Sequence, residues 1–335
     1  MTGRMLYPIR KAAAVLLMTA GIAAAAFLSA SGQETAENPV QTEEAGEPSF
    51  TQEEVHVTIP GMEGSRKILW ISDMHIFSYP DDPDVAAEQQ EEAGERASVF
   101  TNTEGITSCE NWEQLSSRID SYCADYVVFG ADMIDYVSVA NLNALQEGLA
   151  RVKTPWMYIR ADHDYGRWYV DMGIKKMRKL HRQIAPQNKI WIQRFEEFTL
   201  VGLDNTTSAV DDETLQEFRK VCGEGKPVLL CMHVPIDQRE GNAEASGTVQ
   251  TLAQASEENW GGRILCWGEG DEYDTLSSDN MRELTDMIYE PGSPVAGVFA
   301  GHLHLTWDGS LTPSCTEHVF GAAYEDHIGV ITVSG

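Results

Sequence analysis

Five short apolar runs along the chain each lead into an Asp or a His, and this recurrence constrains the fold more than any other feature. The runs are Lys67–Ser72, Tyr126–Gly130, Trp156–Arg160, Val228–Met232 and Val295–Gly301. Their length and apolar character are typical of buried strands. The polar residues that follow them are Asp73, His75, Asp132, Asp162, His163, Asp164, His233, His302 and His304. Because open α/β folds build sites at the carboxyl ends of strands, we expect these side chains to meet at one edge of a sheet.

The remaining pattern predicts helices that alternate with strands early in the chain, and strands that dominate late. Helical spacing covers 111–123, 137–152, 167–184, 211–221 and 279–289, and the third of these is basic on one face. Further strands are expected at 55–59, 189–194, 198–204, 305–307, 318–320 and 328–333. The pattern favours an α/β fold of two packed sheets with helices outside. We expect one domain over 51–335, with a loop or small cap at about 76–110 and a second irregular insertion at about 236–278.

The first 32 residues contain no acidic side chain, and Arg4, Arg10 and Lys11 precede the uncharged run from Ala12 to Ala30. This composition predicts a signal peptide, or a membrane anchor if the leader is not cleaved. The acidic stretch 33–50 has almost no large apolar residues and is predicted to be a flexible linker. The protein is therefore expected to be exported and extracellular or on the cell surface, with a possible membrane tether through 12–30.

The chain is strongly acidic, with 52 Asp and Glu against 24 Lys and Arg and a formal net charge of −28. Such a surface repels nucleic acid and anionic membranes, so we expect no nucleic acid partner and a small substrate instead. Six cysteines in an exported protein could pair in many ways, and at most one or two disulfides are expected. The sequence leaves the oligomeric state open.

The residue types after the strands are those that bind transition metals. In Asp-x-His and His-x-His the two donors share one side of an extended backbone. Carboxylates combined with imidazoles suit Mn, Fe, Zn, Co or Ni, whereas Ca prefers oxygen donors alone. One such pair would be an ordinary coincidence, but five segments in this arrangement predict a site for two divalent transition metal ions.

The order of these segments resembles that of the calcineurin-like metallophosphoesterases, whose motifs are Asp-x-His, Gly-Asp-x-x-Asp, Gly-Asn-His-Asp/Glu, a single His and Gly-His-x-His. The resemblance covers about Lys67 to Leu305. It implies a four-layer sandwich of two mixed β-sheets flanked by helices. The matching segments are Asp73-Met74-His75, Ala131-Asp132-Met133-Ile134-Asp135, Ala161-Asp162-His163-Asp164, His233 and Gly301-His302-Leu303-His304.

The resemblance also implies a role for each residue. One ion would be held by Asp73, His75, Asp132 and His304, and the second by Asp132, Asp162, His233 and His302, with Asp132 shared. A hydroxide between the ions would attack the phosphate ester. His163 would protonate the leaving oxygen, Asp164 would fix the tautomer of His163, and Asp135 would orient groups near the first ion.

Three positions depart from the family pattern. Ala131 and Ala161 stand where Gly is usual, so the turns before Asp132 and Asp162 must accommodate a Cβ. Asp162 stands where the family has Asn, and its added negative charge should bind the second ion more tightly while attracting an anionic phosphate less. Arg160, Tyr165 and Arg167 flank His163 and are candidate substrate contacts.

The leading hypothesis is a metal-dependent phosphoesterase that acts on small phosphate mono- or diesters. Two alternatives stay open at this stage. One is a pyrophosphatase that acts on nucleotides or nucleotide sugars, and the other is a metal-binding module with weakened catalysis. The full set of donors, together with His163, favours the enzyme.

Overall fold

Two mixed β-sheets packed face to face form the centre of the molecule. The computed structural model describes residues 50–186, 188–205, 209–237, 250–260 and 278–335, with the Trp260 side chain excepted. The strands are β1 Thr51–Thr58, β2 Ser65–Ile71, β3 Tyr126–Gly130, β4 Trp156–Ile159, β5 Ile190–Arg194, β6 Thr199–Leu203, β7 Val228–Met232, β8 Val295–Ala300, β9 Trp307–Thr312, β10 Cys315–Val319 and β11 His327–Ser334. The predicted α/β class, with two mixed sheets flanked by helices, is confirmed.

The first sheet has the order β1-β11-β2-β3-β4, in which β11 and β2 are the antiparallel pair. The strands β2, β3 and β4 run parallel, so their carboxyl ends lie at the same edge. The second sheet has the order β5-β6-β7-β8-β10-β9, and β6, β7, β8 and β10 run parallel within it. Parallel central strands explain why the runs are apolar throughout, since both faces of each strand are covered.

Helices cover the outer faces of the two sheets. They are α1 Gln90–Ala97, α2 Ser108–Arg118, α3 Val139–Leu149, α4 Asp162–Tyr165, α5 Ile174–Ile184, α6 Asp212–Cys222, α7 Leu252–Trp260 and α8 Asp279–Tyr289. Short 3-10 turns occur at Ala87–Gln89, Ile119–Tyr122 and Ala323–Glu325. Several helix starts are capped as their sequences suggest: Thr107 and Glu110 form a capping box at α2, and Asp211 and Ser278 cap α6 and α8.

Three apolar layers hold these elements together. Trp70, Val128 and Phe299 belong to the layer between the sheets. A second layer, with Trp112 and Leu145, joins the first sheet to α2 and α3, and a third, with Phe218 and Leu284, joins the second sheet to α6 and α8. No helix in the described ranges has the length and apolar character that crossing a bilayer requires.

Some predicted elements need correction. The segment 76–110, predicted as a loop or small cap, contains α1, and the segment 236–278, predicted as irregular, contains α7. The helix expected from Arg167 begins only at Ile174, after an irregular stretch. The predicted leader and linker fall outside the described residues except for Phe50, as do 238–249 and 261–277 of the second insertion. The five described cysteines are unpaired.

Candidate metal centre

The predicted donors come from the carboxyl ends of five strands in both sheets. Asp73 and His75 follow β2, Asp132 follows β3, and Asp162 follows β4 in the first sheet. His233 follows β7, and His302 and His304 follow β8, in the second sheet. The sequence pattern led us to expect one sheet edge, whereas the structure brings the donors together from the two sheets. The sandwich thus surrounds the centre from two sides.

The backbone at the centre is strained. Six of the eight non-glycine residues with positive φ in the described ranges are Asp73 (55°), His75 (45°), Ala131 (77°), Asp132 (48°), His302 (73°) and His304 (51°). L-residues avoid this region because their Cβ clashes with the backbone, at a cost of about 1–3 kcal/mol each. Such residues typically cluster at functional sites, where the surrounding structure holds them in place. The strain therefore marks the same residues that the motifs select.

Gly301 is required by close packing beneath the centre. A Cβ at this position would lie 2.3 Å from Asp73 Oδ2 and 2.5 Å from Ser72 Oγ. With Gly301 in place, the backbone N–H of His302 approaches both carboxylate oxygens of Asp73 at 3.1 Å. This contact ties the turn after β8 to the turn after β2, and therefore one sheet to the other.

The first donor group consists of Asp73, His75 and His304, whose donor atoms lie within 4.8 Å of one another. His75 Nε2 is 3.2 Å from His304 Nε2, which in turn is 3.3 Å from Asp73 Oδ1. Burial opposes ionisation of Asp73, but the imidazoles of His233 and His304 hold its pKa below the usual value. Burial lowers the pKa of His75, which favours a neutral ring.

The second donor group consists of Asp132, His233 and His302. His233 Nε2 is 3.0 Å from Asp132 Oδ2. The other ring nitrogen, Nδ1, is 3.0 Å from the carbonyl oxygen of Gly130 and must therefore donate to it. Asn205 Oδ1 accepts the backbone N–H groups of His233 and Val234, which fixes the turn after β7.

Asp132 lies between the two groups. Its Oδ2 is 3.9 Å from His75 Nε2 as well as 3.0 Å from His233 Nε2. Asp162 and His163 also gather around it, with donor atoms within 4.8 Å of one another. Unlike the other carboxylates, Asp162 is exposed. The structure thus brings all seven predicted donors into one centre.

The donors fit divalent metal ions by their own chemistry. Since His233 donates from Nδ1, its Nε2 lone pair faces an Asp132 oxygen, an arrangement that only a shared proton or a cation can stabilise. His75 also donates from Nδ1, to Asp135, so its Nε2 lone pair faces His304 Nε2 at 3.2 Å, where either an Nε2–H of His304 or a cation satisfies it. Asp132 Oδ1 is buried without a hydrogen-bond partner in the described structure. A cation would satisfy all three contacts.

His163 is held by Asp135, not by Asp164 as predicted. Its Nδ1 lies 3.0 Å from both the backbone oxygen and Oδ1 of Asp135. Burial opposes the charged imidazole, but the carboxylates of Asp132 and Asp135 raise the pKa of His163 to about 10. Asp135 also accepts from His75 Nδ1 at 3.1 Å, so a single carboxylate orients both imidazoles.

Asp164 instead fixes the turn that carries Asp132. It accepts the backbone N–H of Asp132 and of Ala161, both at 3.0 Å, and the hydroxyl of Tyr158 at 2.6 Å. Burial and the neighbouring Asp132 raise the pKa of Asp164. Its predicted role beside His163 is therefore wrong, because its carboxylate points into the first sheet and joins the turns after β3 and β4.

Arg96 completes the surroundings of Asp135 and was not among the residues predicted for the site. Arg96 Nη2 donates to Asp135 Oδ1 at 2.8 Å, and Nε donates to Oδ2 at 3.3 Å. Burial opposes ionisation, but His163 and Arg96 hold the pKa of Asp135 well below its usual value. The guanidinium lies over Phe100, whose ring stacks on His75 with centroids 4.3 Å apart. The signal was available, because Arg96 is the only basic residue in 76–110.

The side chains of the three candidate substrate contacts lie in different surroundings. Arg160 is 1% exposed and donates to the carbonyls of Ala185 and Pro186, so it braces the fold and does not face a substrate. Tyr165 donates to Asp204 at 2.9 Å, and Arg167 donates to the Met172 carbonyl. Both nevertheless line a cavity of about 550 Å³ beside the centre. The lining is Asp162, Tyr165, Gly166, Arg167, Trp168, Val170, Asp171 and Met172.

No protein-family model and no curated protein matches this sequence. Among solved structures, a dimetal phosphatase from Danio rerio is 11% identical with a TM-score of 0.46, and the match covers 78% of this chain and 88% of that chain. A purple acid phosphatase from yellow lupin seeds is 10% identical with a TM-score of 0.43 and coverage of 78% and 44%. A Staphylococcus aureus protein described as a 5'-nucleotidase is 8% identical with a TM-score of 0.42 and coverage of 78% and 49%.

This chain spans less than half the length of the last two proteins. At this degree of similarity, a function has to be inferred from the residues of the centre themselves.

Proposed function

We propose that this protein is a di-metal phosphoesterase that hydrolyses small phosphate mono- or diesters. The observation that carries the proposal is the meeting of two donor groups at Asp132, each with carboxylate and imidazole donors, beside His163. A structural metal site is normally closed and has a single set of ligands. Here the centre is buried on the side of His75 and open on the side of Asp162. The open side is the route by which a substrate would reach the ions.

In this proposal the donors divide as the resemblance implies. Asp73, His75, Asp132 and His304 hold one ion, and Asp132, Asp162, His233 and His302 hold the other. Two divalent ions would polarise the phosphoryl oxygens and lower the pKa of water between them. Mn, Fe, Zn, Co and Ni all suit this mixture of donors.

The chain itself supplies the proton for the leaving group. His163 has its Nδ1 engaged by Asp135, so Nε2 is the nitrogen available to a substrate. The side chain is 15% accessible, which allows contact with a bound ester while excluding most water. Asp135 fixes the orientation of the ring, and Arg96 fixes Asp135. Proton transfer to the leaving oxygen is the role that this geometry supports.

The carboxylate of Asp162 sets the charge of the open side. With Asp73, Asp132 and Asp162, three carboxylates face two divalent ions, whereas an Asn at this position would leave one negative charge fewer. The second ion should therefore be bound more firmly, and an anionic ester attracted less strongly. Hydrolysis of phosphate esters is compatible with either Asp or Asn at position 162.

A nucleotide or nucleotide-sugar pyrophosphatase is a second candidate. The observation that favours it is the open depression of about 550 Å³ next to Asp162, over which a substantial leaving group could lie. Trp168 lies at this cavity, with its ring 5.2 Å from that of His163, where a planar base could pack.

The test is hydrolysis by the domain beginning at Phe50. Chromogenic phosphate mono- and diesters and a nucleotide sugar should be compared, each with chelator, and with chelator followed by excess Mn²⁺. We expect ester hydrolysis that chelator abolishes and metal restores, and that is absent in Asp132→Asn. Release of nucleoside monophosphate as the fastest reaction would favour the second candidate. Absence of all these activities in a metal-loaded protein would contradict both.

A further inference from the structure

The helix α5 is strongly basic, although the protein as a whole is acidic. Five of its eleven residues are basic and none is acidic, while the whole chain carries a net charge of −28. Met177 and His181 face the core, and the basic side chains are all exposed on the opposite side. The basic residues are Lys175, Lys176, Arg178, Lys179 and Arg182.

These cations have no ion-pair partner among the described residues, although the chain has twice as many acidic as basic side chains. Other surface cations do pair, as Lys189 does with Asp211 and Arg194 with Glu224. Five like charges on one helical face repel one another. An external anionic surface would relieve that repulsion.

Two exposed apolar side chains lie at or shortly before the first residue of the same helix in the sequence. Val99, Trp168 and Ile174 are the exposed large apolar residues of the described ranges, at 45%, 45% and 50% exposure. Two of the three, Trp168 and Ile174, lie within seven residues of each other at the amino end of α5. Exposed aromatic and aliphatic side chains close in sequence to a cluster of cations are typical of proteins that bind the interface of a bilayer.

We propose that α5 together with Trp168 and Ile174 forms a docking surface for an anionic lipid bilayer. The cations would contact lipid phosphates, and the two apolar side chains would enter the interface. Soluble polyanions could satisfy the cations but not the apolar side chains, so the combination favours lipid. The net negative charge does not prevent docking, because repulsion from distant carboxylates is screened beyond about 8 Å at physiological salt.

Docking would place the lipid next to the candidate centre. The cavity lining ends at Met172, and α5 begins two residues later at Ile174. Bilayer contact at the amino end of α5 would therefore lie close to the cavity whose lining includes Asp162. The cations of α5 take no part in the proposed catalysis, although Trp168 also lines the cavity. Only its corollary, that the phosphate ester is presented at a lipid surface, rests on the proposed function.

The test is sedimentation of the domain beginning at Phe50, which lacks the apolar leader, with lipid vesicles. Vesicles of phosphatidylcholine alone are compared with vesicles that also contain phosphatidylglycerol, at low and at high salt. We expect binding only to the anionic vesicles, weakened by salt. Each cation near an anionic surface strengthens binding roughly five-fold, so the triple variant K175Q/K176Q/K179Q should lose on the order of 100-fold.

A matched control removes the same charge elsewhere. The triple variant R151Q/K153Q/K220Q changes three exposed cations outside α5 and should bind within a few-fold of the unchanged domain. Ile174→Ser should weaken binding without changing its salt dependence. All of these side chains are exposed, and equal thermal unfolding midpoints would verify that the variants fold.

Three results would overturn the proposal. One is the absence of binding to anionic vesicles, and another is an equal loss in the two triple variants. The third is retention of the domain on heparin without binding to vesicles, which would identify a soluble polyanion as the occupant of this surface.

Discussion

The two donor groups of the centre are built from similar residues and are buried to the same degree, but they differ in what supports them and in the exposure of the adjoining Asp162. Around His75 the molecule is closed: Phe100 covers the ring, and Asp135 with Arg96 holds its far nitrogen. Around Asp132 and His233, the Gly130 carbonyl accepts from His233 Nδ1 and Asn205 Oδ1 accepts the backbone N–H of His233. Asp162 is exposed to solvent. The closed group is suited to retain an ion, and the open group to exchange one and admit a substrate.

The difference has a structural cause. The closed side is covered by the segment 76–110, whose helix α1 and following residues deliver Arg96 and Phe100. The open side is bordered by 162–172, which has only a single helical turn and lines the cavity. One insertion therefore encloses half of the centre, and the absence of regular structure after α4 leaves the other half accessible.

The largest effect is expected where the two halves meet, at His163. His163→Ala should lower turnover by on the order of 10²–10⁴-fold, since the side chain is assigned to proton transfer. Metal content should be unchanged, because the ring is not assigned to either ion. Kinetics and elemental analysis on the same preparation provide the measurement, with exposed His56→Ala as the control. Loss of an ion in the variant would show that His163 is a metal ligand and contradict its assignment to proton transfer.

Arg96 tests whether the closed half acts on catalysis through Asp135. Arg96→Gln removes the charge-assisted bonds to that carboxylate, so both imidazoles that it orients should loosen. Changes in such supporting groups typically cost roughly 10–100-fold in activity or metal affinity. We expect kcat to fall with little change in KM.

Arg151→Gln is the control for this variant, because it removes an arginine that forms an exposed ion pair elsewhere, with Glu113 at 3.8 Å. Equal kinetics for the two variants would contradict the role given to Arg96.

Asp162 tests the open half. In Asp162→Asn a neutral carbonyl replaces a carboxylate, so the second ion should bind less tightly while the occupied centre becomes more positive. We expect a higher metal concentration for half-maximal activity, and turnover at saturating metal that is kept or raised by a few-fold. Metal titrations of activity should include Asp171→Asn, which removes the same charge from the cavity lining. Activity that excess metal cannot restore would mean that Asp162 also handles a proton.

The smallest effect concerns the two alanines that replace glycine. Both are buried between the sheets, but Ala131 has φ 77° whereas Ala161 has an extended φ of −132°. Substitution by Gly removes the same methyl group from both sites, so the difference isolates the backbone strain. Ala131→Gly should be less destabilising than Ala161→Gly by about 1–2 kcal/mol, as measured by denaturant unfolding. Equal losses would show that the positive φ of Ala131 carries no strain.

The parts predictable from sequence were those with a local physical signal. Buried parallel strands read as continuous apolar runs, and β3 and β7 match their predicted bounds. The convergence of Asp73, Asp132 and His302 followed from their positions at strand ends. That Asp135 and not Asp164 holds His163 could not be predicted, because both follow a donor by two or three residues and only tertiary packing decides which one His163 faces.

Long-range contacts between side chains could not be predicted from the sequence either. Arg96 reaches Asp135 across 39 positions, from a segment with no sustained periodicity. Arg160 looked like a phosphate ligand next to His163, yet its strand turns it toward the carbonyls of Ala185 and Pro186. In both cases the side chain's direction depends on the neighbouring element and not on its own sequence surroundings.

The most direct test of the two-ion centre is metal stoichiometry during gradual chelation of the domain beginning at Phe50. We predict two transition metal ions per chain, and a plateau at one ion as chelator removes the ion of the open half first. Asp162→Asn should reach that plateau at a lower chelator concentration than the unchanged domain. A protein that holds no transition metal and takes up none when Mn, Fe, Zn, Co or Ni is added would contradict the account.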